Sequence, residues 1–385
     1  MTQDNRTPPL ERDALIDEAK RRSGLDDLGD TWFFEPLDKM LECLHAEAQL
    51  TPKGAAMEAE KNVGYLMNRL TKVDLIKRNP EILDEDVKVG AAILSLGRTG
   101  STKTHRMLSA APSHTAMKWW EGQFPFPAEG EEPGNPVERR RRAQAVHDQW
   151  PDGAHIHPST LDSPEEEAFI IDQSFVGTMI ECFVYVPSYC EWLKGYDQMP
   201  AYEELKVALK MLQWQDQSRR GKYWILKSPT HMSAPKTLLD AFPDAVIVQT
   251  HRHPIKTVPS HCSMITPLIR MKSDSIDKQT IGRFTCKRWA DMSNTVIDLR
   301  DKIGDDRFVD IQFQDLIDRP IEVARGVFEA MGRTMTAEDE AGIQAWLDDN
   351  ERGKWPPHLY NYEDFGLSEE IITGDFARYI ERHCG

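Results

Sequence analysis

The sequence predicts an α/β protein with three layers, in which helices flank both faces of a central parallel sheet. Short apolar runs of the kind found in buried parallel strands begin at residues 87, 223, 245 and 307. The first three runs lead into segments with helical periodicity, and strands that alternate with helices indicate a parallel sheet. Before residue 86, apolar residues recur only at helical spacing. We therefore expect a helical N-terminal extension over residues 1–85 and an α/β domain over residues 86–385.

The elements can be assigned in order along the chain. Apolar spacing in the extension predicts helices over 11–22, 38–48 and 54–78. The predicted strands cover 87–96, 223–227, 245–250 and 307–313. Helices are predicted over 104–111, 138–150, 201–216, 228–242, 254–268, 322–331 and 337–350. A further helix is expected to start at Ser163, because Ser-Pro-Glu-Glu places serine at the N-cap, proline at the first position and Glu166 at the third.

Composition narrows the classes of function. Of 385 residues, 40% are hydrophobic and 29% are charged, which supplies both a core and a polar surface. The net charge of −16 disfavours nucleic acid and anionic membranes as partners. The longest apolar run, 91–96, is far too short to span a bilayer, and the N-terminus lacks an apolar signal segment. We expect a cytoplasmic protein without stable membrane insertion, whose six cysteines are thiols because no CxxC spacing occurs.

Acidic residues are absent from three windows of this acidic chain. Residues 87–120, 217–239 and 245–273 contain no Asp or Glu, yet each carries several Lys or Arg residues. Each window holds the end of a predicted strand and the start of a helix. Such ends share one edge of a parallel sheet, and helix N-termini there attract anions. The distribution therefore predicts that three basic junctions meet around one ligand with several phosphate-like groups.

The first junction is the segment 97–104, Gly-Arg-Thr-Gly-Ser-Thr-Lys-Thr. Gly97 and Gly100 allow a tight turn and a close approach to a ligand. The hydroxyl groups of Ser101 and Thr102 and the charges of Arg98 and Lys103 suit an anion. The segment is neither a Walker A loop nor a GxGxxG dinucleotide loop.

The second and third junctions add further basic groups. In the segment 226–231, Ser228 is a predicted N-cap and His231 lies at the third helical position, where the helix dipole favours neutral imidazole. Lys227 ends the preceding strand. After the next strand, Arg252 and Ser260 lie eight residues apart and offer a planar fork and a hydroxyl group to a phosphate. His251 and His253 lack a third ligand nearby in sequence and do not indicate a metal site.

Together these segments resemble a sulfotransferase that uses 3′-phosphoadenosine 5′-phosphosulfate (PAPS). The similarity is to a mainly bacterial branch whose loop reads roughly Pro-Arg-[Ser/Thr]-Gly-Thr-Thr, and it runs from about residue 88 to the C-terminus. The resemblance implies a P-loop-like fold, PAPS as co-substrate and no metal. It implies a small hydroxylated acceptor, with residues 113–162 as a variable acceptor-side insertion. Oligomeric state is open, and a homodimer is compatible with the sequence.

The resemblance also implies roles for individual residues. It makes Lys227 a catalytic residue at the leaving group and the sulfuryl oxygens. The residues it implies for the 5′-phosphosulfate are Arg98, Thr99, Gly100, Ser101 and Thr102, with Lys103 as an addition of this chain. For the 3′-phosphate it implies Arg252, Ser260, Arg352, Gly353 and Lys354. Gly97 replaces the proline that is usual in the family loop.

Several residues are candidates for the general base that accepts the proton of the acceptor hydroxyl. His231 is the first choice because a neutral imidazole can accept a proton. Glu166 and Glu167 are the rivals, although Glu166 also fits a capping box with Ser163. His114, His155 and His157 complete the candidates.

Two other functions compete with sulfuryl transfer. A nucleoside or nucleotide kinase would need a Walker A lysine and an acidic magnesium ligand near the loop, and neither is seen. A non-catalytic nucleotide-binding relative would have lost the lysine or the base, but Lys227, His231 and Glu166 are all present.

Overall fold

A single parallel sheet organises the α/β part of the molecule. The computed structural model describes residues 7–127, 130–132, 134–148, 159–350 and 360–384. All strand pairs are parallel, and the order across the sheet is β2–β3–β1–β4–β5. The strands are β1 (Lys88–Ile93), β2 (His114–Thr115), β3 (Tyr223–Lys227), β4 (Val246–His251) and β5 (Phe308–Gln312).

Helices surround this sheet and also form the region that precedes it. The N-terminal helices are α1 (Arg12–Ser23), α2 (Phe34–Glu47) and α3 (Pro52–Arg78). Those between β1 and β4 are α4 (Ser101–Ser109), α5 (Trp119–Gln123), α6 (Val137–His147), α7 (Ala168–Ile171), α8 (Pro187–Leu193), α9 (Met199–Gln215) and α10 (Pro235–Ala241). The later helices are α11 (Pro254–Arg270), α12 (Lys278–Ile303), α13 (Phe313–Asp318), α14 (Pro320–Ala330), α15 (Ala337–Asp349), α16 (Glu369–Asp375) and α17 (Ala377–His383).

Alternate residues of the central strands point into two different apolar layers, because successive side chains of a strand face opposite sides. Ala91 and Ile93 of β1 join a cluster with residues of α4, α14 and α15. Ala92 joins the larger cluster, which contains residues of α1–α3, α9 and α12. Val89 joins it too, because the register of β1 shifts between Val89 and Ala91. The predicted three-layer arrangement is confirmed, and the N-terminal helices share one core with the α/β part.

The N-terminal region is attached through the start of α3. The backbone N–H of Thr51 donates to the carbonyl of Lys272 at 2.8 Å. Gly54 lies so close that an added Cβ would be 2.1 Å from the same carbonyl oxygen. The Lys272 ammonium pairs with Glu58, which is fully buried. These contacts join α3 to the segment that follows α11.

Most predicted elements are present, but the helices α5, α8, α12, α13, α16 and α17 were not predicted, and three further differences occur. The prediction that a helix starts at Ser163 is wrong. The helix α7 begins only at Ala168, and the Ser163 hydroxyl accepts a hydrogen bond from the Thr160 N–H at 2.9 Å. Residues 228–242 form a 3-10 turn, Pro229–Ser233, and then α10 rather than one helix. The edge strand β2 was not predicted, and it lies inside the expected 113–162 insertion. Among the described residues, no helix is long and apolar enough to cross a membrane.

Candidate active site

Three neighbouring strands end side by side at one edge of the sheet. Ile93, the last residue of β1, is in register with Lys227 of β3 on one side and with Val248 of β4 on the other. The Ser228 N–H donates to the Ile93 carbonyl at 3.1 Å, so the chain leaving β3 starts beside the chain leaving β1. The structure thus brings the three acid-free junctions together at the carboxyl end of the sheet, where ligands bind in open α/β folds.

The loop after β1 is held in an uncommon backbone conformation. Arg98 has a φ of +67°, although it is not glycine, and Gly100 has a φ of +96°. A Cβ at residue 100 would lie 2.7 Å from Leu316 Cδ2, so this position needs glycine for space as well as for conformation. Backbone strain of this kind is often found where a loop is shaped for a ligand.

Buried hydroxyl groups hold the same loop against the end of β4. Thr99 Oγ1 donates to the Leu96 carbonyl at 2.7 Å and lies 2.6 Å from Thr250 Oγ1. The Ser95 hydroxyl accepts from the Thr250 N–H at 2.7 Å. Thr99 is fully buried, so its side chain supports the loop, and only its backbone is left for the ligand role implied by the resemblance.

Helix α4 starts directly after this loop. Its N-cap is Gly100, which has no side chain to cap the first N–H groups. Ser101 is buried, and Thr102 and Lys103 are half-buried in the first turn. The helix start therefore offers N–H donors, hydroxyl groups and an ammonium group beside Arg98, which suits an anion.

The residues predicted to bind the 5′-phosphosulfate are in contact with those predicted to bind the 3′-phosphate. Arg98 Nε donates to the Ser260 hydroxyl at 3.1 Å, and Arg252 Nη1 donates to the Arg98 carbonyl at 3.3 Å. Burial lowers the pKa of Arg98; Tyr360 opposes this shift, and the neighbouring charge of Arg252 adds to it. The Arg98 guanidinium at Ser260 and the Arg252 guanidinium at the Arg98 backbone place two cations in one partly dry site, which favours an anionic ligand.

Lys227 lies on the other side of β1, between two glutamates. Its side chain is only 2% exposed, and its Nζ forms an ion pair with Glu166. Its backbone N–H donates to Glu167 Oε2 at 3.0 Å. The Glu166 side chain is 22% exposed, so it connects the buried lysine to the open part of the site. It contacts Lys227 and not Ser163, so the capping box considered for Glu166 is wrong.

Both ring nitrogens of His231 have hydrogen-bond partners within the protein. Nε2 lies 2.5 Å from Glu167 Oε1, and Nδ1 lies 2.8 Å from the Tyr202 hydroxyl. The predicted N-cap is confirmed, since the Ser228 hydroxyl accepts from the Thr230 N–H at 3.1 Å. Glu167 thus links the His231 ring to the Lys227 backbone, a connection that spans 64 residues and that no local sequence pattern reveals.

Glu167 is held as a carboxylate although it is buried. Burial raises its pKa, but the hydrogen bond and charge of His231 and the N–H of Lys227 outweigh burial, and the pKa lies below the usual value. His105 lies behind the same group. Its pKa is lowered to about 4, first by burial and then by the charge of Lys227, and its Nε2 lies 3.0 Å from the Ile225 carbonyl.

Of the remaining candidates, only His114 belongs to the residues that the structure describes. His114 pairs in register with Tyr223, the first residue of β3, and is therefore at the opposite end of the strand from Lys227. His155, His157, Arg352, Gly353 and Lys354 lie outside the described residues. His251, Asp310 and His383 form the one metal-type cluster found in the described part of the chain, but Arg300 holds both oxygens of Asp310.

Sequence reasoning missed His261, which follows Ser260 on α11. Its ring stacks near Trp289 with centroids 4.1 Å apart, and an added Cβ at Gly97 would lie 3.2 Å from Trp289 and 3.5 Å from His261 Nδ1. Burial and the charge of Arg98 lower the pKa of His261 to about 3. The absence of proline at position 97 therefore accompanies two large rings packed against the loop.

This arrangement, basic loops at three strand ends with a buried lysine beside two glutamates, matches a known family. A family model described as the sulfotransferase family matches residues 91–337. The chain belongs to the sulfotransferase family.

Two solved mycobacterial structures are similar over nearly the whole chain. The sulfotransferase STF9 from Mycobacterium avium is 25% identical, with a TM-score of 0.86 and coverage of 99% of this chain and 98% of that chain. STF1 from Mycobacterium tuberculosis H37Rv is 26% identical, with a TM-score of 0.82 and coverage of 97% and 100%. These similarities confirm the predicted fold class.

Curated relatives match a shorter stretch. The omega-hydroxy-beta-dihydromenaquinone-9 sulfotransferases Stf3 of Mycobacterium bovis and M. tuberculosis are each 28% identical over 206 residues. The match covers 52% of this chain, and the chain spans about half the length (49%) of these relatives.

Proposed function

We propose that this protein transfers the sulfuryl group of PAPS to a hydroxyl group of a small acceptor. The observation that carries the proposal is the direct contact of Arg98 with both Ser260 and Arg252, one strand away from the Lys227–Glu166 pair. Family membership supports the reaction class and does not favour the kinase alternative.

The residues present fit the proposed donor. PAPS carries negative groups at the 5′ and 3′ ends of one nucleoside. The start of α4 with Arg98, Ser101, Thr102 and Lys103 would hold the 5′-phosphosulfate. Arg252 and Ser260 would hold the 3′-phosphate, together with Arg352, Gly353 and Lys354. Arg98, Lys103 and Arg252 form a local basic site in a chain whose net charge is −16, which would favour selective binding of an anion.

Sulfuryl transfer is a displacement at sulfur. The acceptor oxygen forms a bond to sulfur while the bond from sulfur to the 5′-phosphate oxygen breaks, which leaves a sulfate ester and 3′,5′-adenosine bisphosphate. Lys227 would stabilise the negative charge that develops on the leaving phosphate oxygen. The acceptor loses one proton in this step, so a base must lie beside the lysine.

We propose Glu166 as that base and His231 as a positioning residue. Both ring nitrogens of His231 already have partners in Glu167 and Tyr202, and the residue is fully buried. Glu166 is the more exposed of the two carboxylates and contacts the Lys227 ammonium. In this arrangement Tyr202, His231 and Glu167 hold the Lys227 backbone, and Glu166 is left to receive the acceptor proton.

We propose a hydroxylated small molecule as the acceptor. The curated relatives are named for an omega-hydroxylated menaquinone, which supports a hydroxyl group as the sulfated group in this family. We propose that α1–α3 and the 113–162 segment shape the acceptor pocket, since α3 packs near residues 172–174, shortly after Glu166.

Binding of 3′,5′-adenosine bisphosphate, the product, is the most direct test. We expect a rise in melting temperature without Mg²⁺ that is larger than the rise with ATP or NAD. Arg252→Ala should abolish the rise. The control Arg325→Ala removes an exposed arginine that pairs with Glu340, and it should respond like the wild type. A Mg²⁺-dependent response to ATP alone would reject the proposal and support the kinase.

A further inference from the structure

The C-terminal helix reaches the backbone at Arg252. Tyr379 of α17 is buried, and its hydroxyl lies 3.0 Å from Nδ1 of His251, the last residue of β4. The next residue along the chain is Arg252, and its backbone N–H partly offsets the rise that burial causes in the pKa of Tyr379. One phenol group therefore holds the final residue of the strand, directly before Arg252.

The hydrogen bonds at this point form a chain with a defined direction. His251 Nε2 lies 2.7 Å from Asp310, and a carboxylate can only accept, so Nε2 carries the proton. In this tautomer Nδ1 accepts from the Tyr379 hydroxyl at 3.0 Å. The chain therefore runs from Tyr379 through the His251 ring to Asp310, and each donor has one acceptor.

Surrounding residues keep the bridge in place. Arg300 donates to both oxygens of Asp310 at 2.8 Å, which fixes the carboxylate that orients His251. The ring of His383 stacks on His251 with centroids 4.0 Å apart and an angle of 10°. Burial lowers the pKa of His383 to about 3, so this ring is neutral near pH 7 and does not repel its neighbour.

Ion pairs and a backbone contact fasten the helix itself. Arg382 pairs with Asp301 at 2.5 Å and with Asp305 at 3.0 Å. Arg378 pairs with Asp298 at 2.8 Å, on the same helix α12. Gln312 of β5 donates to the His383 carbonyl at 2.9 Å. The helix is thus tied to α12 and to the edge strand, and its tyrosine is held against the end of β4.

The guanidinium of Arg252 depends on this backbone. It lies over the ring of Phe313 at 4.3 Å and donates to the Arg98 carbonyl. A small change in the backbone at residue 252 would move both contacts. We propose that Tyr379 is a positioning residue for the 3′-phosphate: its hydroxyl fixes His251 at the end of β4, and with it the backbone of Arg252, so that the guanidinium binds that group. This inference rests on the proposed function.

The test compares two nucleotides that differ only in the 3′-phosphate. Isothermal titration calorimetry gives Kd for 3′,5′-adenosine bisphosphate and for 5′-AMP, and their ratio measures recognition of the 3′-phosphate. Tyr379→Phe removes the hydroxyl and leaves the buried His251 Nδ1 without its partner. We expect the ratio to fall about tenfold, with the affinity for 5′-AMP changed less than about twofold.

A matched variant separates this effect from loss of stability. Tyr189→Phe also removes a buried hydroxyl, which donates to the carbonyls of Phe175 and Gly177. It should lower the melting temperature but leave the ratio unchanged. A Tyr379→Phe variant whose ratio equals that of the wild type overturns the inference, and so does one in which both affinities fall equally.

Two further results complete the test. If the wild type does not prefer the bisphosphate, the proposed function fails together with this inference. Suppose that the wild type prefers the bisphosphate, that Arg252→Ala loses this preference and that Tyr379→Phe keeps it. In that case only the role of Tyr379 is rejected. Should Tyr379→Phe not fold, amide hydrogen exchange of the wild type replaces it: we expect slow exchange at the Arg252 N–H, and fast exchange overturns the inference.

Discussion

The ammonium group of Lys227 forms an ion pair with Glu166, while the backbone N–H of Lys227 is held by the next residue, Glu167. The two adjacent carboxylates therefore act on two ends of one lysine. Glu167 is 1% exposed and also holds His231, whereas Glu166 is 22% exposed. This difference in exposure and partners is the physical basis for assigning proton transfer to one glutamate and positioning to the other.

Replacing Glu166 should affect turnover and not nucleotide binding. Glu166→Gln keeps the shape of the side chain but cannot take a proton, so we expect kcat to fall by about 10² or more. The Kd for 3′,5′-adenosine bisphosphate should change little, because the acceptor and not the nucleotide loses its partner. Steady-state kinetics with PAPS and calorimetry with the bisphosphate measure the two quantities.

His231→Asn is the comparison that tests this assignment. If His231 positions Glu167 and Lys227, the variant should lower the melting temperature and weaken bisphosphate binding together with kcat. Glu203→Gln, on the exposed side of α9, is the control and should behave as the wild type. Full activity of Glu166→Gln, together with an inactive but stable His231→Asn variant, would transfer the role of base to His231.

Gly100 should be irreplaceable in the loop before α4. Its φ of +96° strains any side chain, and an alanine methyl group would meet Leu316 Cδ2 at 2.7 Å. We expect Gly100→Ala to lower the free energy of unfolding by about 1–3 kcal/mol and to weaken bisphosphate binding, because the loop must shift. Urea unfolding and calorimetry measure both.

A second glycine provides the matched control for Gly100. Gly374 lies in α16 outside the positive-φ region, and an added Cβ would meet nothing within 4 Å. Gly374→Ala should therefore leave binding unchanged and stability unchanged or slightly higher, since alanine favours helices. Equal effects of the two substitutions would show that the conformation of residue 100 is not required.

The sheet and its three junctions could be predicted because their signals are local. Strand β3 was predicted with its observed bounds, and the acid-free windows pointed to the edge where Arg98, Lys227 and Arg252 lie. A continuous apolar run fixes a buried strand from a few residues, and charge is easily counted along a chain. Strand β2 has only two residues, which is too short for any periodicity to show.

The polar network of the site could not be predicted, because it depends on distant partners. The sequence around Ser163 fits a capping box, yet Glu166 instead pairs with Lys227, 61 residues further along the chain. Tyr202 and Tyr379 carry no motif and acquire a role only through His231 and His251. A tertiary ion pair outweighs a local cap, which stabilises by only about 1 kcal/mol.

Asp172 should make stability depend on pH near neutrality. Burial raises its pKa from 3.8 to about 7, although Lys61 and the Met179 N–H act in the opposite direction, and the charges of Glu58 and Glu181 add to the rise. The folded state then binds the proton more tightly than the unfolded state. This contribution to stability is complete below about pH 4 and is lost as the pH rises to about 7, by at most about 4 kcal/mol.

The variant Asp172→Asn should remove this dependence. The amide has nearly the same shape as the carboxyl group and carries no charge. We expect its free energy of unfolding to exceed that of the wild type at pH 8 and the two to converge towards pH 5, as measured by urea unfolding at several pH values. Asp348→Asn, an exposed aspartate on α15, is the control. Parallel curves for wild type and Asp172→Asn would contradict the prediction.

The buried pair of Glu58 and Lys272 should make α1–α3 inseparable from the α/β part. Glu58 is fully buried between the ammonium groups of Lys272 and Lys61, the latter at 2.6 Å from Oε2. Burial raises its pKa, but the charges of these two lysines outweigh burial and lower it to about 2. Removing Glu58 leaves the buried Lys272 ammonium without a counter-charge, so we expect Glu58→Leu alone to cost about 3–5 kcal/mol. Lys272→Met should cost less, because Lys61 still pairs with Glu58.

The double variant tests the pair itself. Glu58→Leu with Lys272→Met removes both charges, so it should be destabilised by clearly less than the sum of the single variants in urea unfolding. The exposed pair of Arg325 and Glu340 is the matched control, and its loss should cost no more than about 1 kcal/mol. Additive effects at Glu58 and Lys272 would mean that the two residues do not interact. A strong coupling, in contrast, would show that α3 and the segment after α11, the helix that carries Ser260, unfold as one unit.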